Sequence, residues 1–341
     1  MTVRVVVCED SGTYRRALVR ALEHDGELAV VGAFETAEAT LAALGDLRPD
    51  LVTMDLELPR MQGLQAVEQI MGERPLPVAV LSSHVGPGSD AAAAALAAGA
   101  VDALAKDDLD LADPAGLPAA ALRHRLRVLS RARVIRHPRA RLRAPRGDGR
   151  IAGGEAAAIG VCASTGGPHA LATLLGALPA SFPVPLLVVQ HITAGFTEGF
   201  VRWLRRSVAV PVRLARDGAP LEGGVSVAPE GAHLVLRQDR RLHLDRDAPA
   251  LRHRPSGDAL LTSLATVLGL LAVGVVLTGM GGDGAEGVAA IAAAGGLTVA
   301  QDEASSAIFG MPRAAAERGA ALVLPLADMP AMLTSLREAA P

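Results

Sequence analysis

The sequence predicts two doubly wound α/β units joined by a basic, proline-broken segment. Three observations lead there. The chain has 341 residues, more than one average hydrophobic core organises. Short β-branched runs alternate with Ala/Leu-rich helical stretches, once before residue 122 and again after residue 153. Between them, "RHRLRVLSRARVIRHPRARLRAPRGDGR" is arginine-rich and then broken by Pro and Gly. The expected boundaries are 1–122, 123–152 and 153–341.

In the first unit the strand-like runs are Val3–Cys8, Leu28–Ala33, Leu51–Met54, Val78–Leu81 and Val101–Ala105. Five βα repeats of this kind make a five-stranded parallel sheet. "AAAAALAAGA" is a helix of the strongest helix former, ended by Gly99. The stretch from Arg123 to Arg150 reads as a basic helix and a flexible linker. No aromatics interleave its arginines, as they would on a nucleic-acid surface. In the second unit, Ala158–Ala163, Leu186–Gln190, Gly274–Thr278 and Leu297–Ala300 read as strands. Helical stretches cover His169–Leu178, Phe196–Arg206, Asp258–Leu268, Ala285–Ala294 and Met329–Ala339. Val212 to Leu244 reads as a β-rich insert, with turn signals such as "EGG" and "QDR".

Half the residues are hydrophobic but only 2% are aromatic, so Leu, Val, Ile and Ala must fill both cores. A net charge of −3 argues against a polyanion binder. Cys8 and Cys162 lie in strand-like runs and form neither a disulfide nor a zinc pattern, so a reducing cytoplasm is expected. "VRVVVCED" lacks the basic-then-apolar order of a leader. "VLGLLAVGVVLTGM" is too short and glycine-rich to span a bilayer. The expectation is a cytoplasmic monomer with no nucleic-acid partner and no membrane insertion.

Ligands of doubly wound sheets sit at the carboxyl ends of the strands. Those ends carry Glu9 and Asp10, Asp55, Ser82 and Lys106. Any one of them alone reads as a solvated loop. All five in register read as a site in which carboxylates hold Mg²⁺, a lysine offsets anionic charge, and one carboxylate attacks a phosphoryl donor. With "LPRMQG" after Asp55, residues 1–120 resemble a response-regulator receiver domain. The resemblance implies Asp55 as phosphoacceptor, Glu9, Asp10 and Asp55 as Mg²⁺ carboxylates, and Ser82 and Lys106 as the switch hydroxyl and phosphate partner. The chain departs from that family at Asp107, where proline is usual, and at Ala103, where an aromatic residue is usual.

In the second unit three further residues fall at strand ends: Ser164 in "GVCASTGGPH", His191 after "LLVVQ", and Asp283 in "TGMGGDG". A serine becomes a useful nucleophile when a histidine takes its proton and a carboxylate orients the imidazole. The order Ser–His–Asp differs from the familiar hydrolase orders. A competing pattern is Gly279, Gly281 and Gly284 as G-x-G-x-x-G, with Asp302 and Glu303 as ribose carboxylates. Asp283 inside that loop would repel a pyrophosphate, and the fingerprint leaves Ser164 and His191 unused. The remaining histidines (His84, His124, His137, His169, His233, His243 and His253) read as surface or structural residues.

"ASTGGP", "QHITAGFTEGF", "VAPEGAHL", "HRPSGDALL", "LTGMGGDGAEGV" and "AQDEASSAIFGMPRAA" together resemble the catalytic domain of the chemotaxis protein-glutamate methylesterases. That resemblance implies Ser164 as nucleophile, His191 as base and Asp283 as orienting carboxylate. It also implies Thr165 and Met280 as site lining, with the Met280 N–H offered to an oxyanion. Cys162 and Thr193 depart from the family pattern. The implied activity is hydrolysis of γ-glutamyl methyl esters on chemoreceptors without a cofactor, with glutamine deamidation as a second activity. A chemotaxis histidine kinase would supply the phosphoryl group, and the receiver would cover the ester site until Asp55 is phosphorylated. A regulatory module that binds partners but has lost catalysis is the rival from another class.

Overall fold

The computed structural model describes residues 2–83, 90–134, 155–247 and 253–338. The chain divides into two compact units, residues 1–139 and 140–341. Residues 135–154, which hold most of the expected linker, lie outside the described residues, as do His84 and His137.

The first unit runs β1 (Val3–Cys8), α1 (Gly12–Glu23), β2 (Leu28–Phe34), α2 (Ala37–Leu47), β3 (Leu51–Asp55), α3 (Gly63–Glu73), β4 (Val78–Ser82), α4 (Asp90–Ala97), β5 (Asp102–Ala105) and α5 (Leu117–Leu129). The strands are all parallel, in the order β2-β1-β3-β4-β5. Every residue of β3, β4 and β5 is buried, as expected of strands covered on both faces. Ser11 caps α1 by accepting from the Tyr14 N–H, which fixes where the chain turns after Glu9 and Asp10.

The arginine-rich stretch begins inside α5, not after it. Arg123 is buried and donates to Asp25 and to the Ala21 and Pro114 carbonyls. Arg125 forms a bidentate pair with Asp102 at 2.7 and 2.9 Å. Arg127 pairs with Glu27. These arginines hold α5 onto the first unit, so the helix crosses the expected boundary at 122/123.

The second unit runs β6 (Glu155–Ala156), β7 (Ala158–Ala163), α6 (Gly167–Gly176), β8 (Leu186–Gln190), α7 (Thr197–Ser207), β9 (Val212–Leu214), β10 (Val225–Val227), β11 (His233–Leu236), β12 (Leu242–Asp245), α8 (Gly257–Leu268), β13 (Ala272–Val276), α9 (Ala285–Ala293), β14 (Leu297–Gln301), α10 (Met311–Glu317), β15 (Leu322–Leu324), α11 (Met329–Ser335) and β16 (Arg337–Glu338). Its main sheet is parallel, in the order β15-β14-β13-β7-β8-β10-β9. Alternate residues of β7 enter opposite cores. Ile159, Val161 and Ala163 pack with α6, α7 and α11, whereas Ala158 and Cys162 pack with α8, α9 and α10. On the first face Trp203, the only tryptophan, packs against Phe200 with ring centroids 5.9 Å apart.

The expected β-rich insert holds β9 to β12: β9 and β10 extend the main sheet, and β11–β12 form an antiparallel hairpin. Two expected elements differ. The strand expected at Gly274–Thr278 lies at Ala272–Val276, where its pairing with β7 is in register. The last helix stops at Ser335, because Arg337–Glu338 pair with β6. No helix among the described residues is long and apolar enough to cross a membrane.

Candidate functional site

The carboxyl edge of β13, β7 and β8 brings Ser164, His191 and the Asp283 loop to one place. Ala163 and Gln190 are register partners, so Ser164 and His191 each stand one residue beyond the same rung. The His191 N–H donates to the Ala163 carbonyl at 2.9 Å, and the Ser164 N–H donates to the Thr278 carbonyl at 3.0 Å. The chain leaves β7 toward β8 on one side and returns to β13 on the other. This is the switch point at which open parallel sheets form ligand crevices. Gly279 comes so close to Ser164 that a Cβ there would lie 2.8 Å from the serine Cβ and 2.3 Å from Met311 Sδ.

Asp283 is held from two directions. Its Oδ2 accepts from His191 Nε2 at 2.8 Å and from the Gly257 N–H at 2.6 Å. Its Oδ1 accepts from Ser256 Oγ at 2.7 Å and from the Asp258 N–H at 3.1 Å. The N-terminus of α8 therefore grips the carboxylate, where free N–H groups and the helix dipole favour negative charge. Burial works against the charge, but the bonds from His191, Gly257 and Asp258 hold the Asp283 carboxyl well below the usual carboxylate range. With Nε2 donating to Asp283, the imidazole is the Nε2–H tautomer. Its Nδ1 is buried and has no hydrogen-bond partner among the described residues. Among the described residues, no hydrogen bond joins Ser164 Oγ to His191. Catalytic hydrogen bonds of unliganded sites are commonly loose and tighten around substrate.

Two glutamines brace this edge, and neither was singled out from the sequence. Gln190 Nε2 donates to the Ser164 carbonyl at 2.9 Å and to the His191 carbonyl at 2.7 Å. Gln301 accepts from the Thr278 N–H at 2.8 Å. Each amide replaces a ladder bond where neighbouring strands separate. Thr278 Oγ1 donates to the Thr165 carbonyl at 2.9 Å, tying the serine turn to the next strand end. Thr165 is buried and Met280 half-buried. Their backbone N–H groups make no hydrogen bond among the described residues, which leaves two donors near Ser164 for an oxyanion.

Cys162 lies wholly buried beneath Asp283. A Cβ on Gly257 would come within 2.6 Å of its Sγ. Burial pushes the thiol well above its ordinary value, and the Asp283 and Asp258 charges add to this, so it packs as an apolar group. His253, expected to be structural, stacks on His191 with centroids 4.2 Å apart. His233 is fully buried, and neither ring nitrogen has a hydrogen-bond partner among the described residues. The dinucleotide reading finds no support: Asp302 accepts from Ser305 within its own turn, and the Gly279 approach is filled by Ser164 and Met311.

In the first unit Glu9, Asp10 and Asp55 each offer an oxygen within 4.8 Å of the others. Glu9 and Asp55 are buried and Asp10 is exposed. Lys106 Nζ stands 2.6 Å from Asp55 Oδ2 and 2.7 Å from Glu9 Oε2. Burial pushes both carboxyls up against the opposing pull of Lys106. Burial disfavours the Lys106 charge, yet the two carboxylates hold its pKa above the ordinary value. Ser82 is buried at the end of β4, opposite Ala105 and one residue beyond Leu81, the partner of Asp55. This oxygen-only donor set, open through Asp10, fits a hard divalent cation. Ala103 is buried in β5. The aromatic residue of the pocket is instead Tyr14, whose ring lies 4.9 Å from Lys106 Nζ.

The comparisons with known proteins match the two units in chain order. Residues 5–112 match the response regulator receiver domain, and residues 159–333 match the CheB methylesterase family. A protein-glutamate methylesterase/protein-glutamine glutaminase of Anaeromyxobacter dehalogenans is 46% identical, over 98% of this chain and 97% of its own. One of Myxococcus xanthus is 41% identical, over 98% and 96%. Among solved structures, the Thermotoga maritima CheB methylesterase catalytic domain aligns at 34% identity with a TM-score of 0.51, covering 53% of this chain and 98% of that domain. With a family match over its second unit and curated relatives similar end to end, the chain belongs to the CheB methylesterase family, with a response-regulator receiver domain ahead of the methylesterase domain.

Proposed function

We propose that the chain hydrolyses γ-glutamyl methyl esters on methyl-accepting chemoreceptors, under the control of phosphorylation at Asp55. The observation that carries the reading is the convergence of Ser164, His191 and Asp283 at one sheet edge, with Asp283 fixed between His191 and the α8 N-terminus. Ser164 Oγ attacks the ester carbonyl while His191 takes its proton. Because Nε2 is committed to Asp283, the accepting atom is Nδ1. The tetrahedral oxyanion is stabilised by the Thr165 and Met280 N–H groups. Its collapse expels methoxide, which His191 protonates to methanol. Water, deprotonated by the same nitrogen, then cleaves the acyl-enzyme to the free glutamate side chain. The relatives' second named activity follows from the same attack on a glutamine amide, with ammonia as leaving group.

Control enters through the first unit. Asp55 accepts a phosphoryl group from a chemotaxis histidine kinase, forming an acyl phosphate. Mg²⁺, held by Glu9, Asp10 and Asp55, would supply positive charge at that group. Lys106 transfers its ion pair to the phosphoryl oxygens, and Ser82 offers a hydroxyl from the neighbouring strand. The chain works in the cytoplasm, where receptor methylation sites and kinase are both accessible.

Methanol release from methylated receptor membranes tests the esterase reading. Ser164→Ala should lower it at least about 10³-fold, and His191→Ala by a similar factor, because such residues act as a unit. Retention of more than a small fraction of activity by a folded Ser164→Ala chain would refute the assignment.

A further inference from the structure

Tyr14 is the only tyrosine in the chain, and it stands on the first turn of α1, four residues after Asp10. Lys106 Nζ lies 4.9 Å from its ring centroid. The same ammonium is 2.6 Å from Asp55 and 2.7 Å from Glu9. An ammonium has three N–H donors, and here two carboxylates and one aromatic face surround them. The ring face attracts a cation most strongly where water is excluded. The ring contact is separate from both carboxylate contacts of Lys106.

The phenol hydroxyl of Tyr14 is buried and has no hydrogen-bond partner among the described residues. Native structures seldom keep such a group without a use for it. Burial pushes this phenol up, and Glu9, Asp55 and Asp107 add to the shift. The hydroxyl is a buried donor carried by the ring that adjoins Lys106, and a donor so placed suits an anion taken up beside that ammonium.

We propose that Tyr14 is an anion-binding residue of the Asp55 pocket: its hydroxyl donates a hydrogen bond to the phosphoryl group on Asp55, and its ring holds Lys106 beside that group. The proposal rests on Asp55 as the phosphoacceptor, and the experiment separates the two claims. Beryllofluoride with magnesium, a tetrahedral stand-in for the phosphoryl group, is titrated into the full chain by calorimetry. The unaltered chain should bind it and Asp55→Asn should not. Failure of the unaltered chain to bind would overturn the phosphoacceptor reading itself.

Tyr14→Phe keeps the ring and removes the hydroxyl. It should bind beryllofluoride about tenfold more weakly, the loss expected for one hydrogen bond to a charged acceptor. Its unliganded thermal midpoint should stay level or rise, because an unpartnered buried hydroxyl is gone. Tyr14→Leu, which also removes the ring, should bind more weakly still. The opposite directions of affinity and stability separate a binding role from a packing role. Unchanged affinity in a folded Tyr14→Phe chain would overturn the proposal. So would a loss of affinity that merely tracks a fall in thermal midpoint.

Discussion

Asp283 decides the chemistry of the second unit at the scale of single residues. Four donors converge on its two oxygens, and hydrogen bonds to a charged group contribute about 1.5–3 kcal/mol each. Asp283→Asn would turn an amide toward backbone donors and unsettle the imidazole tautomer. It should reduce methanol release by roughly 10³-fold or more, with substrate binding less affected. The pH dependence has a definite sign. Asp283 is held below the ordinary carboxylate range when folded. Its stabilisation is therefore complete above that range and is lost as pH falls through the folded value. Glu9 and Asp55 are raised, so their contribution favours the fold at low pH and is lost as pH rises through their folded values. Asp55→Asn removes one of these buried charges and leaves Lys106 paired with Glu9. Calorimetric scans at neutral pH should show the first unit melting higher in that variant, with the difference closing in acid. The sheet-edge positions of Ser164, His191 and the five receiver residues were legible in the sequence because each lies at or just beyond the end of a strand-like run. Gln190, Ser256 and Tyr14 were not. A glutamine beside a histidine, a serine before a helix and a tyrosine on a first turn have ordinary local explanations. Only the tertiary pairings of 190 with 164, 256 with 283 and 14 with 106 give them a further role.

Helix α8 is the element on which the site depends. Its N-terminus holds Asp283, and its first residue, Gly257, rests on the Cys162 thiol. The cysteine that departs from the family pattern is thus in contact with the support of the carboxylate. Gly257→Ala should cost about 1–3 kcal/mol by overpacking, and it should lower esterase activity by moving the N–H groups that hold Asp283. Cys162→Gly should lower stability on its own, yet relieve part of the Gly257→Ala defect. A double-mutant cycle on thermal midpoints and methanol release would measure that coupling, and strict additivity would show that the contact carries no strain. The central strands were legible because both faces of a parallel sheet are apolar. The insert was legible as β-rich, but the pairing of its strands was not, because β9 and β10 are only three residues each. Strands so short carry little periodicity, and whether they extend the main sheet or stand apart is settled by distant pairing with β8. The basic stretch was legible as a helix, but charge composition alone does not distinguish a linker arginine from Arg123, buried against Asp25.

The whole molecule carries a phosphoacceptor pocket in one unit and a hydrolytic edge in the other, and the proposed control requires that the first restrain the second. Deleting residues 1–150 should raise basal methanol release above that of the unphosphorylated full chain. Asp55→Asn should keep the full chain at its low basal rate with or without a phosphodonor. A truncated unit no more active than the whole would favour activation by recruitment to receptors. Any such control acts only through a free-energy difference between inactive and active states.

The scarcity of aromatic residues gives this question a direct optical handle. Tyr14 is the chain's one tyrosine and Trp203 its one tryptophan, and they fall in different units. Excitation at the red edge, where tyrosine does not absorb, reports the environment of Trp203 against Phe200 and hence the second unit alone. The near-ultraviolet tyrosine bands report the first. The unlabelled chain can therefore be unfolded in denaturant with each unit followed by its own chromophore. Coincident transitions would show the two units to be thermodynamically coupled. Separated transitions, drawn together or apart by beryllofluoride, would give the magnitude of the coupling that phosphorylation controls.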